Sequence, residues 1–207
     1  MKIIVAATPD VAIPTLNWLV TSEHQLLSVI TQPDRPAGRG RSLKESVVSE
    51  WARQHDIACL KPASVTETTT LIEGADVLLT IGYGVLLPEN LLSIPKHGCL
   101  NLHFSLLPRW RGAAPVQRAI EAGDSLSGVT VFALDPGMDT GPIYSVKRFA
   151  LDSDITSDEL FSELGVLGVE AVEDSLKAIE AGIRPEPQKN DGATRAMKIS
   201  KDECEID

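Results

Sequence analysis

Gly98-Cys99-Leu100-Asn101-Leu102-His103 reads as a short apolar strand, and Phe104-Ser105-Leu106-Leu107-Pro108 as the turn that ends it. Side chains two apart on a strand share a face, so Asn101 and His103 project together at the strand's carboxyl end. Upstream, residues 2–7, 26–31 and 76–81 are further short apolar runs. Helical patterns at 11–20, 43–55 and 88–92 fall between and after them, and in the second of these Val47, Val48 and Trp51 share one apolar face. Strands alternating with helices predict an α/β fold with a mostly parallel central sheet flanked by helices. In open parallel sheets ligands collect at the carboxyl ends of the strands, which is where Asn101 and His103 stand.

Downstream, residues 128–134 form a β-branched, buried-looking run that leads into Asp135-Pro136-Gly137-Met138-Asp139-Thr140-Gly141. That loop is rich in turn formers, and residues 143–150 are expected to return antiparallel across it. Residues 153–181 carry the longest helical pattern, weakened by Gly165 and Gly168 and stopped by Pro185 and Pro187. Asp139 follows His103 by 36 residues. Taken singly, an Asn or His at a strand end is an ordinary polar residue, and an Asp in a glycine-rich loop is a turn former. Together, an amide, an imidazole and a carboxylate are what acyl transfer to an amine requires: a donor to the developing oxyanion, a proton carrier and a group to orient the imidazole.

Bulk properties narrow the field. At 207 residues with 43% hydrophobic content, the chain is long enough for a substantial core. No apolar run approaches the ~18 residues of a membrane span, and residues 1–7 are too short for a signal-peptide core. Cys59, Cys99 and Cys204 are scattered and odd in number, with no C-x-x-C. Neither a disulfide framework nor a zinc site is indicated, Cys99 reads as a small core residue, and a reducing cytoplasm is the expected compartment. The turn after the first strand, Ala6-Ala7-Thr8-Pro9-Asp10, lacks the glycines of a dinucleotide fingerprint, and there is no P-loop. NAD, FAD and ATP therefore have no support. A formal net charge of −10 argues against general nucleic-acid coating. The charge is uneven, however: Arg35, Arg39, Arg41 and Lys44 cluster early, and Arg109, Arg111 and Arg118 cluster after the His103 turn. Two basic patches on an acidic body suit one oriented RNA contact.

Asn101-Leu102-His103, Ser105 to Pro115 and Leu134 to Gly141 resemble the motifs of the 10-formyltetrahydrofolate-dependent formyltransferases, most of all the methionyl-tRNA formyltransferases. Gln32-Pro33-Asp34-Arg35-Pro36-Ala37-Gly38-Arg39-Gly40 resembles their basic early loop, and Lys198-Ile199-Ser200-Lys201 with Glu205-Ile206-Asp207 resembles the handover to their second domain. One departure is Phe104, where the family usually has Gly; it is expected to put a bulky ring beside the turn.

The resemblance implies a Rossmann-like formyltransferase fold without a dinucleotide fingerprint. Residues 1–184 would be the catalytic domain and 185–207 the start of a linker to a β-barrel domain. It also implies direct formyl transfer from 10-formyltetrahydrofolate, with no metal, NAD or ATP, to the α-amine of methionyl initiator tRNA in translation initiation. Asn101 would hold the oxyanion, His103 would move the proton, and Asp139 would hold His103 or a bridging water and relay the proton, with Thr130 binding that water. Ser105 is read as a turn-stabilising hydroxyl rather than a nucleophile, because no triad is evident. Folate would lie against Ile81, Gly82, Tyr83, Gly84, Leu86, Leu87 and Pro88, against Ser105, Leu106, Leu107 and Pro108, and against Asp135, Gly137 and Asp139. Gly82 and Gly84 also fit a simple turn. Arg35, Arg39, Arg41, Arg109 and Arg111 would meet tRNA. Trp110 fits either a base-stacking platform or a buried anchor for the turn. His24, His55 and His97 are expected to be solvated. The expected partners are methionyl initiator tRNA and folate, with no membrane or DNA, and the chain is expected to be monomeric.

Overall fold

The structure, a computed structural model, describes residues 1–37, 42–200 and 202–204. It divides into two compact units, residues 1–102 and 103–207.

The first unit is built on parallel strands β1 (Lys2–Ala7), β2 (Gln25–Ile30), β5 (Cys59–Leu60), β6 (Val77–Ile81) and β7 (Cys99–His103). Pairing runs β5-β2-β1-β6-β7, every pair parallel. The runs Ile3–Ala7 and Val77–Ile81 are buried throughout, as strands covered on both faces should be. Helices α1 (Ile13–Thr21), α2 (Val47–Gln54), α3 (Val65–Leu71) and α4 (Glu89–Leu92) connect them. Trp51 on α2 packs inward, and its Nε1–H donates to Asn17 Oδ1 at 2.7 Å.

Three local expectations change here. The helix expected over 43–55 begins only at Val47, because the Ser46 hydroxyl caps it by accepting from Ser49 N. The residues before it, β4 (Ser42–Lys44), pair antiparallel with β3 (Arg35–Ala37), so part of the expected early loop is a two-stranded ribbon. Strand β5 is too short to show a period, and α3 (VTETTTL) has no apolar stripe, so neither was foreseen.

In the second unit, β9 (Leu126–Ala133) and β10 (Ile143–Ala150) pair antiparallel across the Asp139 loop, as expected. Helix α6 (Ser157–Glu180) packs on both strands, and α5 (Pro115–Glu121) packs on α6. Gly165 and Gly168 are buried on α6, so the absence of a side chain there serves packing. A capping box starts the helix: Thr156 Oγ1 accepts from Glu159 N, and Glu159 Oε2 accepts from Thr156 N.

Residues 185–200, expected as a tail, are tied into this unit. Ile143 and Glu186 exchange both backbone hydrogen bonds, at 2.7 and 2.8 Å. Further on, β11 (Arg195–Ala196) pairs with β8 (Arg111–Gly112). Helix α5 starts only at Pro115, because Gly112 belongs to that pair. Among the described residues no helix is long and apolar enough to cross a membrane.

Phe104 does not crowd the turn. Its ring is buried and meets Phe161 of α6 edge-on, with centroids 5.9 Å apart. Phe104→Ala is expected to lower unfolding stability by about 3 kcal/mol in a urea titration, the cost of emptying an aromatic site.

Candidate active site

Parallel pairing of β6 with β7 sets Thr80 beside Asn101. Thr80 Oγ1 lies 2.8 Å from Asn101 Oδ1 and 3.0 Å from the Leu100 carbonyl. With Thr80 beside its oxygen, the half-buried Asn101 is oriented so that its amide N–H groups remain as donors. That orientation suits an oxyanion. Thr80 was not foreseen, though a lone hydroxyl inside the buried run Val77–Ile81 is the kind of signal that marks such a role. Two residues before Asn101, Cys99 is buried, and burial pushes its thiol up to about 12. It is a protonated packing residue, as expected.

His103 closes β7 and opens the second unit. Its Nε2 lies 2.9 Å from the Trp110 carbonyl oxygen. A carbonyl only accepts, so Nε2 carries the hydrogen. Nδ1 then faces the Asp139 carboxylate, with Oδ2 at 3.8 Å. That gap exceeds a direct hydrogen bond, so the two groups are close neighbours that are not bonded to each other. The two side chains are only 6% and 15% exposed, and Phe132 stands edge-on to the imidazole, so charge here is poorly screened by solvent. Asp139 is itself held: its Oδ2 accepts from Gly112 N at 2.7 Å, and its backbone is left-handed at φ 52°. Imidazole and carboxylate thus meet as the sequence led one to expect.

The Trp110 carbonyl is positioned by a small cluster. Trp110 adopts φ 65°, its N–H donates to Thr194 Oγ1 at 2.9 Å, and its indole Nε1–H donates to Asp124 Oδ2 at 2.8 Å. Arg109 makes a two-pronged contact with Asp124, at 2.9 and 2.7 Å, and lies over the indole with Cζ 4.4 Å from the ring centroid. Trp110 is therefore an anchor of the turn. The expected basic patch is consumed in the same way: Arg111 donates to Gln188 Oε1 at 3.2 and 2.8 Å, and Arg118 pairs with Glu121 and Glu203. Arg35 is exposed and donates to Gln32 Oε1. Arg39 and Arg41 lie outside the described residues.

Two expected supporting groups take different places. Thr130 is fully buried, donating to the Ser105 carbonyl at 2.7 Å and accepting from Leu107 N at 3.2 Å. Its hydrogen is spent on the Ser105 carbonyl, so the place the structure gives Thr130 is that of a tie within the turn rather than the water-binding role expected. The Ser105 hydroxyl donates to the Arg109 carbonyl at 2.7 Å and is the turn-stabilising group expected. These ties hold the 105–110 turn, which contains a cis Leu107–Pro108 peptide.

After β6, Gly82 and Gly84 have φ of 56° and 73°, and a Cβ on Gly82 would press on the Pro9 ring. The Tyr83 carbonyl accepts from Gln32 Nε2 at 2.6 Å, while Leu86 is 80% exposed. In the second unit, Asp135 accepts from Gly137 N and Thr140 Oγ1, and a Cβ on Gly137 would collide with Thr140. Asp135 and Gly137 thus shape the loop that carries Asp139. The histidines expected to be solvated have partners in two cases: His55 stacks on Trp51, and His24 meets Trp18 edge-on. Among the described residues no group of three or more His, Cys, Asp or Glu could hold a metal ion.

The hydrogen bonds from Arg109, and secondarily from Trp110, hold the Asp124 carboxyl below the usual range, against the opposing effect of burial. A lowered folded-state value means stability that is present above the unfolded value and lost as pH falls through the folded one. Arg109 is 42% exposed, so screening limits the pair. Asp124→Asn is expected to cost about 1 kcal/mol at neutral pH. The difference from the unmutated protein should stay constant down to pH ~5 and close below pH ~4, as read by urea unfolding at each pH.

Three known proteins frame this geometry. Methionyl-tRNA formyltransferases of Chromohalobacter salexigens and Pseudoalteromonas translucida are 46% and 45% identical over the whole chain. The chain spans 65% and 66% of their lengths, about two thirds. Among solved structures, an N-formyltransferase from Helicobacter canadensis, in complex with folinic acid and dTDP-3-aminofucose, superposes with a TM-score of 0.73 at 18% identity. That match covers 98% of this chain and 72% of that one, and it shows a common fold, the mostly parallel sheet flanked by helices. The formyl transferase family matches residues 1–174, the stretch that contains Asn101, His103 and Asp139. On that match, and on relatives so similar along its whole length, the chain belongs to the formyl transferase family.

Proposed function

We propose that this chain, as a cytoplasmic monomer, transfers the formyl group of 10-formyltetrahydrofolate to the α-amine of methionyl initiator tRNA. The observation that carries the reading is the His103 ring, with Nε2 bonded to the Trp110 carbonyl and Nδ1 turned to Asp139. The names of the relatives support the acceptor, and the folinic acid in the Helicobacter canadensis protein supports the donor.

The neutral amine attacks the formyl carbon, and the carbonyl electron pair moves onto oxygen. Asn101 donates to that oxyanion. The proton released from the amine nitrogen passes by way of His103 Nδ1 to N10 of the folate, as the N10–carbon bond breaks. Asp139 opposes the transient imidazolium charge. The products are the formamide and tetrahydrofolate, so atoms and protons balance.

The folate contacts are assigned to Ile81, Gly82, Tyr83, Gly84, Leu86, Leu87 and Pro88, to Ser105, Leu106, Leu107 and Pro108, and to Asp135, Gly137 and Asp139. The exposed apolar side chain of Leu86 and the left-handed Gly82 and Gly84 suit close approach of a flat ring. The tRNA contact is assigned to Arg35 with Arg39 and Arg41. Arg109 and Arg111, whose nitrogens are engaged by Asp124 and Gln188, are assigned to holding the turn instead.

Formylation of methionyl initiator tRNA at low salt tests the proposal. His103→Ala is expected to lower kcat by ~10²–10⁴ and Asn101→Ala by ~10²–10³. Uncharged tRNA should give no product. Formate released without any acceptor, or full activity of His103→Ala, would overturn the reading.

A further inference from the structure

Gln188 lies in the segment after α6, beyond the last residue of the family match. Its side chain uses its full bonding capacity. Oε1 accepts from Arg111 Nε and Nη2 at 3.2 and 2.8 Å. Nε2 donates to the carbonyl oxygens of Asp139 at 3.0 Å and Gly141 at 2.7 Å. These carbonyls belong to the residue whose carboxylate faces His103 and to a residue two further along the same loop. The next residue after Arg111, Gly112, donates its N–H to Asp139 Oδ2 at 2.7 Å. Gln188 therefore closes a ring around the carboxylate: backbone held on one side, side-chain oxygen on the other, and Arg111 joining the two. The paired backbone bonds between Ile143 and Glu186 set the register that delivers Gln188 to this point.

We infer that Gln188 is a positioning residue that sets where the Asp139 carboxylate stands relative to His103, which makes the segment after α6 a working part of the site. The inference rests on the proposed role of Asp139. Only a neutral amide both donates twice and accepts twice in this arrangement. Glu at this position would keep, and strengthen, the tie to Arg111 but would present lone pairs to two carbonyl oxygens. Asp139 holds a left-handed backbone, a conformation that costs an L residue some energy and that the bonds to its carbonyl help to hold. A displacement of about 1 Å at a reacting group costs up to ~10²-fold in rate.

The test compares Gln188→Glu, Gln188→Met and Asp139→Asn, and each Gln188 variant combined with Asp139→Asn. The readouts are kcat and KM for formylation of methionyl initiator tRNA and the thermal midpoint. Expected for both Gln188 variants is a kcat lowered by ~10-fold or more with KM for either substrate nearly unchanged. The midpoint of Gln188→Glu should fall less than that of Gln188→Met, because its Arg111 tie survives. In the Asp139→Asn background neither change should lower the rate further. A fastener of the chain alone would leave the rate of the folded protein untouched, so a folded Gln188→Glu protein with unmutated kcat overturns the inference. Losses that multiply with that of Asp139→Asn also overturn it, as does failure of both Gln188 variants to fold. Full activity of Asp139→Asn would instead overturn the reading of the site itself.

Discussion

The hydrogen bond between His103 Nε2 and the Trp110 carbonyl decides what the second unit's imidazole can do. It commits the ring hydrogen to Nε2 and leaves Nδ1 as the nitrogen that exchanges a proton beside Asp139. The surrounding ties keep one carbonyl in place. Trp110 sits in a left-handed conformation that a bulky residue does not adopt unaided. Thr194 holds its N–H, Asp124 holds its indole, and Arg109 lies over the ring. Remove these and the carbonyl is free to turn, and with it the preference for one tautomer.

The arginines and the last part of the chain follow the same logic. Read as charge, Arg109, Arg111 and Arg118 form a basic patch. Read as geometry, Arg109 ties the His103 turn to Asp124, Arg111 just after the turn is tied to Gln188, and Arg118 on α5 pairs with Glu121 of the same helix and with Glu203. Glu203, which accepts from Ser200 N and pairs with Arg118, has its carboxyl drawn down to about 2 by those bonds. Residues 186–196 contribute backbone bonds and a hydroxyl to the turn that follows His103, and an amide to the loop that carries Asp139.

The legible parts of the sequence were those whose signals are local. Val77–Ile81 and Cys99–His103 are apolar runs of strand length, so the parallel sheet could be read, and with it the place of His103 at the end of its strand. The Asp139 loop announced itself through Asp135, Pro136 and Gly137. What could not be read depends on partners distant along the chain. Thr130 reads the same whether it serves a water or the Ser105 carbonyl 25 residues away. Arg111 reads as a free cation until Gln188, 77 residues on, is seen to accept from it. The aromatic at 104 reads as an obstruction until Phe161 provides its partner.

The tautomer of His103 is the most direct point of test. In protein with ¹⁵N-labelled histidine, long-range proton–nitrogen correlation spectra distinguish a ring protonated at Nε2 from one protonated at Nδ1. The neutral imidazole of His103 is expected to carry its hydrogen on Nε2, with Nδ1 as the nitrogen that gains and loses a proton. A neutral ring protonated at Nδ1 would contradict the account, because the Trp110 carbonyl would then have no donor and the proton carrier would face the wrong way.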